Sequence, residues 1–188
     1  MRTTRLNREI VIQCAMELVC ESGINGLRLN KIADRLDVKS PSLYTHTGSV
    51  TELRQAVIHQ AMQQFREELM DSLMGRAKMG AFLELGKTWM NYANEQSVFF
   101  TAFYNNDYLE LYEKNISHFL QSAFKRIFVD WPLNNEEIEQ IERIMTNYFC
   151  GQVDRLNGQP YVEAELISDL EIFYQGIVQN LEKVSQVC

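Results

Sequence analysis

The stretch that most constrains this chain runs from Leu27 to Glu52, L-R-L-N-K-I-A-D-R-L-D-V-K-S-P-S-L-Y-T-H-T-G-S-V-T-E. Ile32, Ala33 and Leu36 share one face at helical spacing, and Val38 resumes that face after Asp37. Ser40-Pro41 predicts a helix start: the serine caps free N–H groups, and a proline in the first helical position gives up an N–H that has no partner. Leu43 points inward, Gly48 closes the segment, and Ser49 with Glu52 predicts a capping box that opens the next helix. Two short helices joined by a tight turn, the second polar on its outer faces, describe a helix-turn-helix. Such a unit sets the start of its second helix in the DNA major groove.

From Gly23 to His46 the sequence G-I-N-G-L-R-L-N-K-I-A-D-R-L-D-V-K-S-P-S-L-Y-T-H resembles the tetracycline-repressor (TetR) family of bacterial one-component regulators. The shared skeleton is the glycine after helix one, Ile32-Ala33, Leu36-x-Val38 and Leu43-Tyr44-x-His46, and the likeness extends from Asn7 to roughly Leu53. It implies an all-α fold of about nine helices. A three-helix helix-turn-helix head, residues 1–48, would join a helical effector-binding and dimerisation body, residues 49–188. The implied function is a sequence-specific DNA-binding transcriptional regulator, a repressor released by a small hydrophobic effector. Four positions depart from the family. Arg28 stands where a capping hydroxyl is usual, so Asn30 becomes the expected cap and helix two is expected to start late. Asp37 replaces a turn glycine, Thr47 an aromatic, and Val50 a lysine that contacts phosphate. Aspartate tolerates the left-handed conformation, so the turn should survive. Loss of the lysine should weaken backbone binding modestly.

In the helix from Ser40 to His46, the hydroxyls of Ser40, Ser42 and Thr45 can reach base edges, and Pro41 with the Thr45 methyl can meet a thymine methyl. Tyr44, His46, Lys39 and Ser49 are expected on phosphates, which fix orientation without reading sequence. Arg28, Asn30 and Lys31 are further candidates. No arginine or glutamine lies in this helix, so the strong bidentate contact to guanine is missing. A dimer carrying two such helices should bind a palindrome with half-sites one turn, roughly 34–36 Å, apart or a multiple of it.

Charge is divided unevenly. Residues 1–50 hold seven Lys/Arg against five acids, a net of +2, and the remainder holds −9 of a chain total of −7. A mildly basic head on an acidic body suits contact with DNA at one end and argues against a general nucleic-acid binder. The small excess also motivates an alternative: a helical ligand-sensing or protein-interaction module whose DNA contacts have decayed. The composition, 46% apolar and 23% charged, is that of a folded domain. No apolar run approaches the ~18 residues of a membrane span, and the N-terminus lacks a secretory pattern, so the cytoplasm is the expected location. Cys14, Cys20, Cys150 and Cys188 show no metal-ligand spacing, and Cys14 and Cys20 are expected in the core. No metal or cofactor is expected, and no hydrolase, P-loop or dinucleotide signature is present, so the chain does not read as an enzyme.

Asn7 reads as the cap of helix one and Gly23 as its C-terminal glycine, after a basic arm holding Arg2 and Arg5. Helix four carries an apolar stripe from Leu53 to Leu73. Further helices are expected around Trp89, at Ser97–Tyr104, from Asp107 with Glu110 as its capped start through Phe128, from Asn134 to Leu156, and from Val162 to Val184. The last two carry broad apolar stripes, and Gly151 and Gly176 are candidates for close helix approach, so a homodimer through a four-helix bundle is expected. The middle of the chain is rich in aromatics and methionine. Met62, Phe65, Phe82, Trp89, Met90, Phe103, Tyr104, Tyr108 and Phe119, with Asn147 and Tyr148, are candidate lining for an apolar effector; Asn91, Asn105 and His118 are additional polar candidates.

Overall fold

A computed structural model describes residues 6–185 of the chain, with side chains through Lys183; the N-terminal arm and Cys188 lie outside the described residues. Nine helices, and no strand, occur among the described residues. The first three are α1 (Arg8–Ser22), α2 (Leu29–Leu36) and α3 (Ser40–Thr47), and α4 (Val50–Ser72) follows after two residues. The body adds α5 (Lys78–Glu95) and α6 (Ser97–Phe103). α7 is built from Leu109–Tyr112, a π turn at Glu113–Ser117 and His118–Ile127. α8 (Asn135–Leu156) and α9 (Glu163–Ser185) complete the chain.

Local chemistry sets most of these boundaries. The Asn7 carboxamide oxygen accepts from the Ile10 N–H at 2.9 Å, and Gly23, at φ +71°, returns its N–H to the Val19 carbonyl at 2.8 Å. Capping boxes open α4 and α8. Ser49 Oγ accepts from the Glu52 N–H while Glu52 accepts from the Ser49 N–H, and Asn134 exchanges the same pair of bonds with Glu137. Asp37 sits in the left-handed region at φ 52°, ψ 47° and closes α2. Asn157 and Gly158, both at positive φ, make the turn before α9.

Several boundaries differ from expectation. α2 begins at Leu29, directly after Arg28, rather than late; the Asn30 side chain accepts only from the adjacent Lys31 N–H. Lys39, not Ser40, flanks α3, with Ser40 already helical and no side chain capping that end. The segment before α7 is closed by the Asn105 carboxamide oxygen, which accepts from the Asp107 N–H at 3.0 Å, and not by an Asp107–Glu110 pair. Cys14 is buried, but Cys20 is exposed, because it falls on the outer face of α1 beside Glu17 and Glu21. Gly151 and Gly176 face open space within this chain. The close approach lies instead at Gly86 of α5, where an added Cβ would sit 2.5 Å from Leu170 of α9.

α4 packs on α1 and α3 at one end and on α5, α6 and the π turn at the other. Its stripe of Leu53, Val57, Ile58, Ala61, Met62, Phe65 and Leu69 is buried throughout. Phe65 is the hub of the body, with ring centroids 4.6 Å from Tyr92, 5.8 Å from Trp89 and 6.0 Å from Phe103. The Tyr92 hydroxyl donates to the Ala61 carbonyl at 3.0 Å, joining α5 to α4. A second aromatic group, Phe82, Phe128 and Tyr174, joins α5 to the end of α7 and to α9.

One carboxylate is buried against this grain. Glu142 of α8 accepts from the Ser117 hydroxyl at 2.9 Å, at the π turn of α7. Burial raises its carboxyl above the ordinary range, only partly offset by that bond. A carboxyl whose folded value exceeds its unfolded value weighs against the fold as pH rises through the folded value. Glu142→Gln, which keeps an acceptor for Ser117, should therefore raise the melting temperature at neutral pH, and the difference from the parent should close on acidification below the ordinary carboxylate range.

Candidate nucleic-acid interface

The outer surface of the head is built on three inward anchors. Ile32 and Ala33 of α2 and Leu43 of α3 are buried, so the opposite faces of both helices meet solvent. On α3 those faces carry Pro41, Ser42, Tyr44 and Thr45, all exposed, with Ser40 and His46 half-buried. Tyr44 is 57% exposed, and an aromatic left that open has no packing role inside its own chain.

The hydroxyls of this helix are not equivalent. Thr45 Oγ1 donates to the Ser42 carbonyl at 2.8 Å, which commits its proton and leaves its methyl and lone pairs outward. Thr47 is buried and donates to the Leu43 carbonyl at 3.0 Å, so it holds the end of the helix rather than a ligand. For Ser40 and Ser42 no such internal bond forms at this surface. Gly48, at φ +63°, lets the chain turn into α4, and a side chain there would collide with the Glu52 carboxylate of the capping box. Ser49 is exposed but its oxygen is used by that box.

The cations are disposed differently from the sequence expectation. Lys31, Lys39 and Asn30 are exposed along one side of the head. Arg28 Nη1 donates to the Asn25 carbonyl at 2.6 Å and to the Leu27 carbonyl at 2.9 Å, which ties its guanidinium to the head's own turn. Arg54 of α4 reaches the same two carbonyls at 3.4 Å. Arg8 Nη1 donates to the His46 carbonyl at 3.0 Å and fastens the start of α1 to the end of α3. Neither Arg54 nor Arg8 was legible as a support from sequence, because their contacts span 27 to 29 and 38 residues. Arg35, on α2, is held by Glu21 at 2.8 Å and faces away as an ion pair.

The candidate effector residues do not converge on one cavity. Met62, Phe65, Trp89, Met90 and Phe103 are packed in the core, and Tyr108 is buried beside them in chain order after α6. Phe82 belongs to the second aromatic group. Phe119 is half-buried, while Asn147, Asn91 and His118 are exposed. Tyr148 donates to Asp169 at 2.9 Å, and Asn91 accepts from Tyr161 at 2.5 Å. The larger concavities lie elsewhere: one of about 460 Å³ between α8 and α9, and one of about 560 Å³ beside α3, where Tyr44, His46 and His59 face Leu111 of the body.

No family model matches the chain. An uncharacterized HTH-type transcriptional regulator of Mycobacterium tuberculosis is 30% identical over 102 residues, 54% of this chain and 47% of that protein. Tetracycline repressor protein class D of Escherichia coli is 45% identical over 53 residues, 28% of this chain and 24% of that one. The chain thus spans about half or less of the length of these curated relatives. A TetR-family transcriptional regulator from Streptomyces coelicolor superposes with a TM-score of 0.71 at 15% identity, covering 94% of this chain and 82% of that one. The transcriptional regulator FadR of Bacillus subtilis, solved with stearoyl-CoA, gives 0.70 at 13% identity over 88% and 96%. The resemblance to the tetracycline-repressor family therefore holds in sequence over the head and in fold over nearly the whole chain.

The turn between α2 and α3 offers a check on the head's geometry. A non-glycine residue in the left-handed region carries strain that glycine lacks. Asp37→Gly should leave the head folded and stabilise it by up to about 1 kcal/mol, whereas Asp37→Val should destabilise it by more than about 1 kcal/mol, read by urea unfolding.

Proposed function

We propose that this chain, which has the head sequence and the fold of the tetracycline-repressor family, is a sequence-specific DNA-binding transcriptional repressor released by a small hydrophobic effector. Residues 1–48 form the DNA-binding domain and residues 49–188 the effector-binding and dimerisation domain, acting in the cytoplasm on a palindromic duplex. The single observation that carries the reading is α3: a helix anchored by Leu43 that turns Pro41, Ser42, Tyr44 and Thr45 outward from a rigid head. Ser40, Ser42, Pro41 and Thr45 face base edges; Lys39, Tyr44, His46 and Ser49, with Asn30 and Lys31 from α2, meet phosphates. Arg28 acts chiefly as a brace for the head, given its bonds to Asn25 and Leu27.

A homodimer is supported by the surface of the last two helices. Ile172 is 64% exposed and Ile144 39% exposed on the α8–α9 groove, which Gly176 leaves open. A second copy laid on this face forms a four-helix bundle and sets two α3 helices on one side. Effector binding in the body tilts α4 and shifts the population between dimers that fit two successive major grooves and dimers that do not.

Tyr44→Ala should abolish specific binding in a gel-shift titration on duplexes selected from a random pool, with the dimer mass unchanged in light scattering. Unchanged affinity would contradict the assignment of α3. Ile172→Glu should convert the dimer to a monomer at micromolar concentration and weaken operator binding in parallel. A salt-independent, negligible signal on random duplex DNA would favour the decayed module that the small positive charge of the head allows.

A further inference from the structure

Three polar atoms inside the body make no hydrogen bond of ordinary geometry: the indole N–H of Trp89 and the hydroxyls of Tyr104 and Tyr112. Buried polar groups are almost always paired, so such a set calls for a cause. Trp89 on α5 is fully buried, and Tyr112 on α7 is 8% exposed. Tyr104, just after α6, buries its hydroxyl although the residue as a whole reaches the surface.

The three lie together. The rings of Tyr104 and Tyr112 are 5.1 Å apart. The Trp89 indole is close enough to the Tyr104 hydroxyl, and Thr146 of α8 to the Tyr112 hydroxyl, to bias their ionisation. Burial drives both phenols well above the ordinary tyrosine value, so both remain protonated donors at any physiological pH. Around them the walls are apolar. Phe100 lies 5.3 Å from Tyr104, and Phe149 stacks on Trp89 at 4.9 Å.

We propose that the Trp89–Tyr104–Tyr112 node is the polar end of the effector site, and that the effector is an uncharged aromatic or alicyclic molecule bearing a hydrogen-bond-accepting oxygen, a carbonyl in the first instance. The inference rests on the effector reading of the body given above. An indole N–H only donates, so its partner must accept. The two phenols, protonated and turned toward the same place, favour the same choice. An anionic head group is disfavoured: the ionisable neighbours acting on the two hydroxyls are Glu142 and Cys150, and no Lys or Arg acts on either. A carboxylate placed there would be buried near another carboxylate without a cation. The apolar part of the effector takes the place of side chains around Phe100 and Phe103, which pack 6.3 Å apart, and it enters past the partly exposed Tyr104.

Two measurements on the full chain test this. The first is melting of Tyr104→Phe and Tyr112→Phe without ligand. Deleting an unpaired hydroxyl leaves the melting temperature unchanged or raised; a fall of several degrees in either variant would mean that the hydroxyls already hold the core together, and would overturn the proposal. The second uses benzophenone, diphenylmethane and 4-benzoylbenzoate as probes, read by melting and by tryptophan fluorescence. Benzophenone should bind, diphenylmethane about tenfold more weakly, and 4-benzoylbenzoate not at all; Tyr104→Phe should erase the preference for the ketone. Equal binding of ketone and hydrocarbon, binding of the carboxylate, or binding of none would each overturn it. Gel shifts on the selected duplex separate this from the underlying reading, which fails only if the parent chain itself does not bind DNA.

Discussion

The architecture depends on one helix burying a single apolar stripe in two places. α4 is capped beside α3 by Ser49 and Glu52, and Arg54 ties its first turns to the carbonyls of Asn25 and Leu27. Two turns further on, the Ala61 carbonyl accepts from Tyr92 and Phe65 enters the aromatic body. No flexible connection intervenes between these attachments, since the helix is continuous from Val50 to Ser72. A rotation of α4 cannot be confined to one end: either the side chains around Phe65 repack, or the head moves with the helix. Interdigitated cores resist gradual deformation, so such a helix favours discrete arrangements.

Arg8 and Arg54 extend this coupling. Each spends a guanidinium on main-chain carbonyls of the head, His46 in one case and Asn25 with Leu27 in the other. A cation used in this way stiffens the surface that carries α3 and is withdrawn from direct contact with an anionic partner. With Arg28 likewise engaged, the head's net +2 overstates the charge free to meet phosphate.

What could be read from the sequence was what short-range chemistry decides. Asn7, Ser49 with Glu52, and Asn134 with Glu137 are caps fixed by residues three apart, and each forms. Asp37 takes the left-handed conformation that its place in the pattern required. Where neighbouring signals compete, the reading slips. Asn105 rather than Asp107 closes the turn before α7, and Lys39 rather than Ser40 flanks α3, because a serine beside a proline fits equally well one position inside the helix. The π turn at Glu113–Ser117 has no local signature; it coincides with the tertiary contact between Ser117 and Glu142. Gly86 belongs to the same class. Its need for a bare Cα comes from Leu170, which is remote in the chain, while Gly151 and Gly176 look identical in sequence and meet nothing within it. The core aromatics were legible as apolar, but periodicity could not divide them into two groups or mark the three whose polar atoms go unmatched.

The outward face of α3 is made of short side chains: two serines, a proline and a threonine whose hydroxyl is already spoken for. Long side chains reach a base from a distance and surrender much rotamer freedom in doing so, whereas these surrender little. Their reach is correspondingly small. A helix so equipped must lie deep against the floor of the groove before any of its atoms touches a base edge, and an ångström of withdrawal silences all of them at once. Discrimination then comes from depth of seating, and a slight change in the stance of the two heads is enough to switch it off.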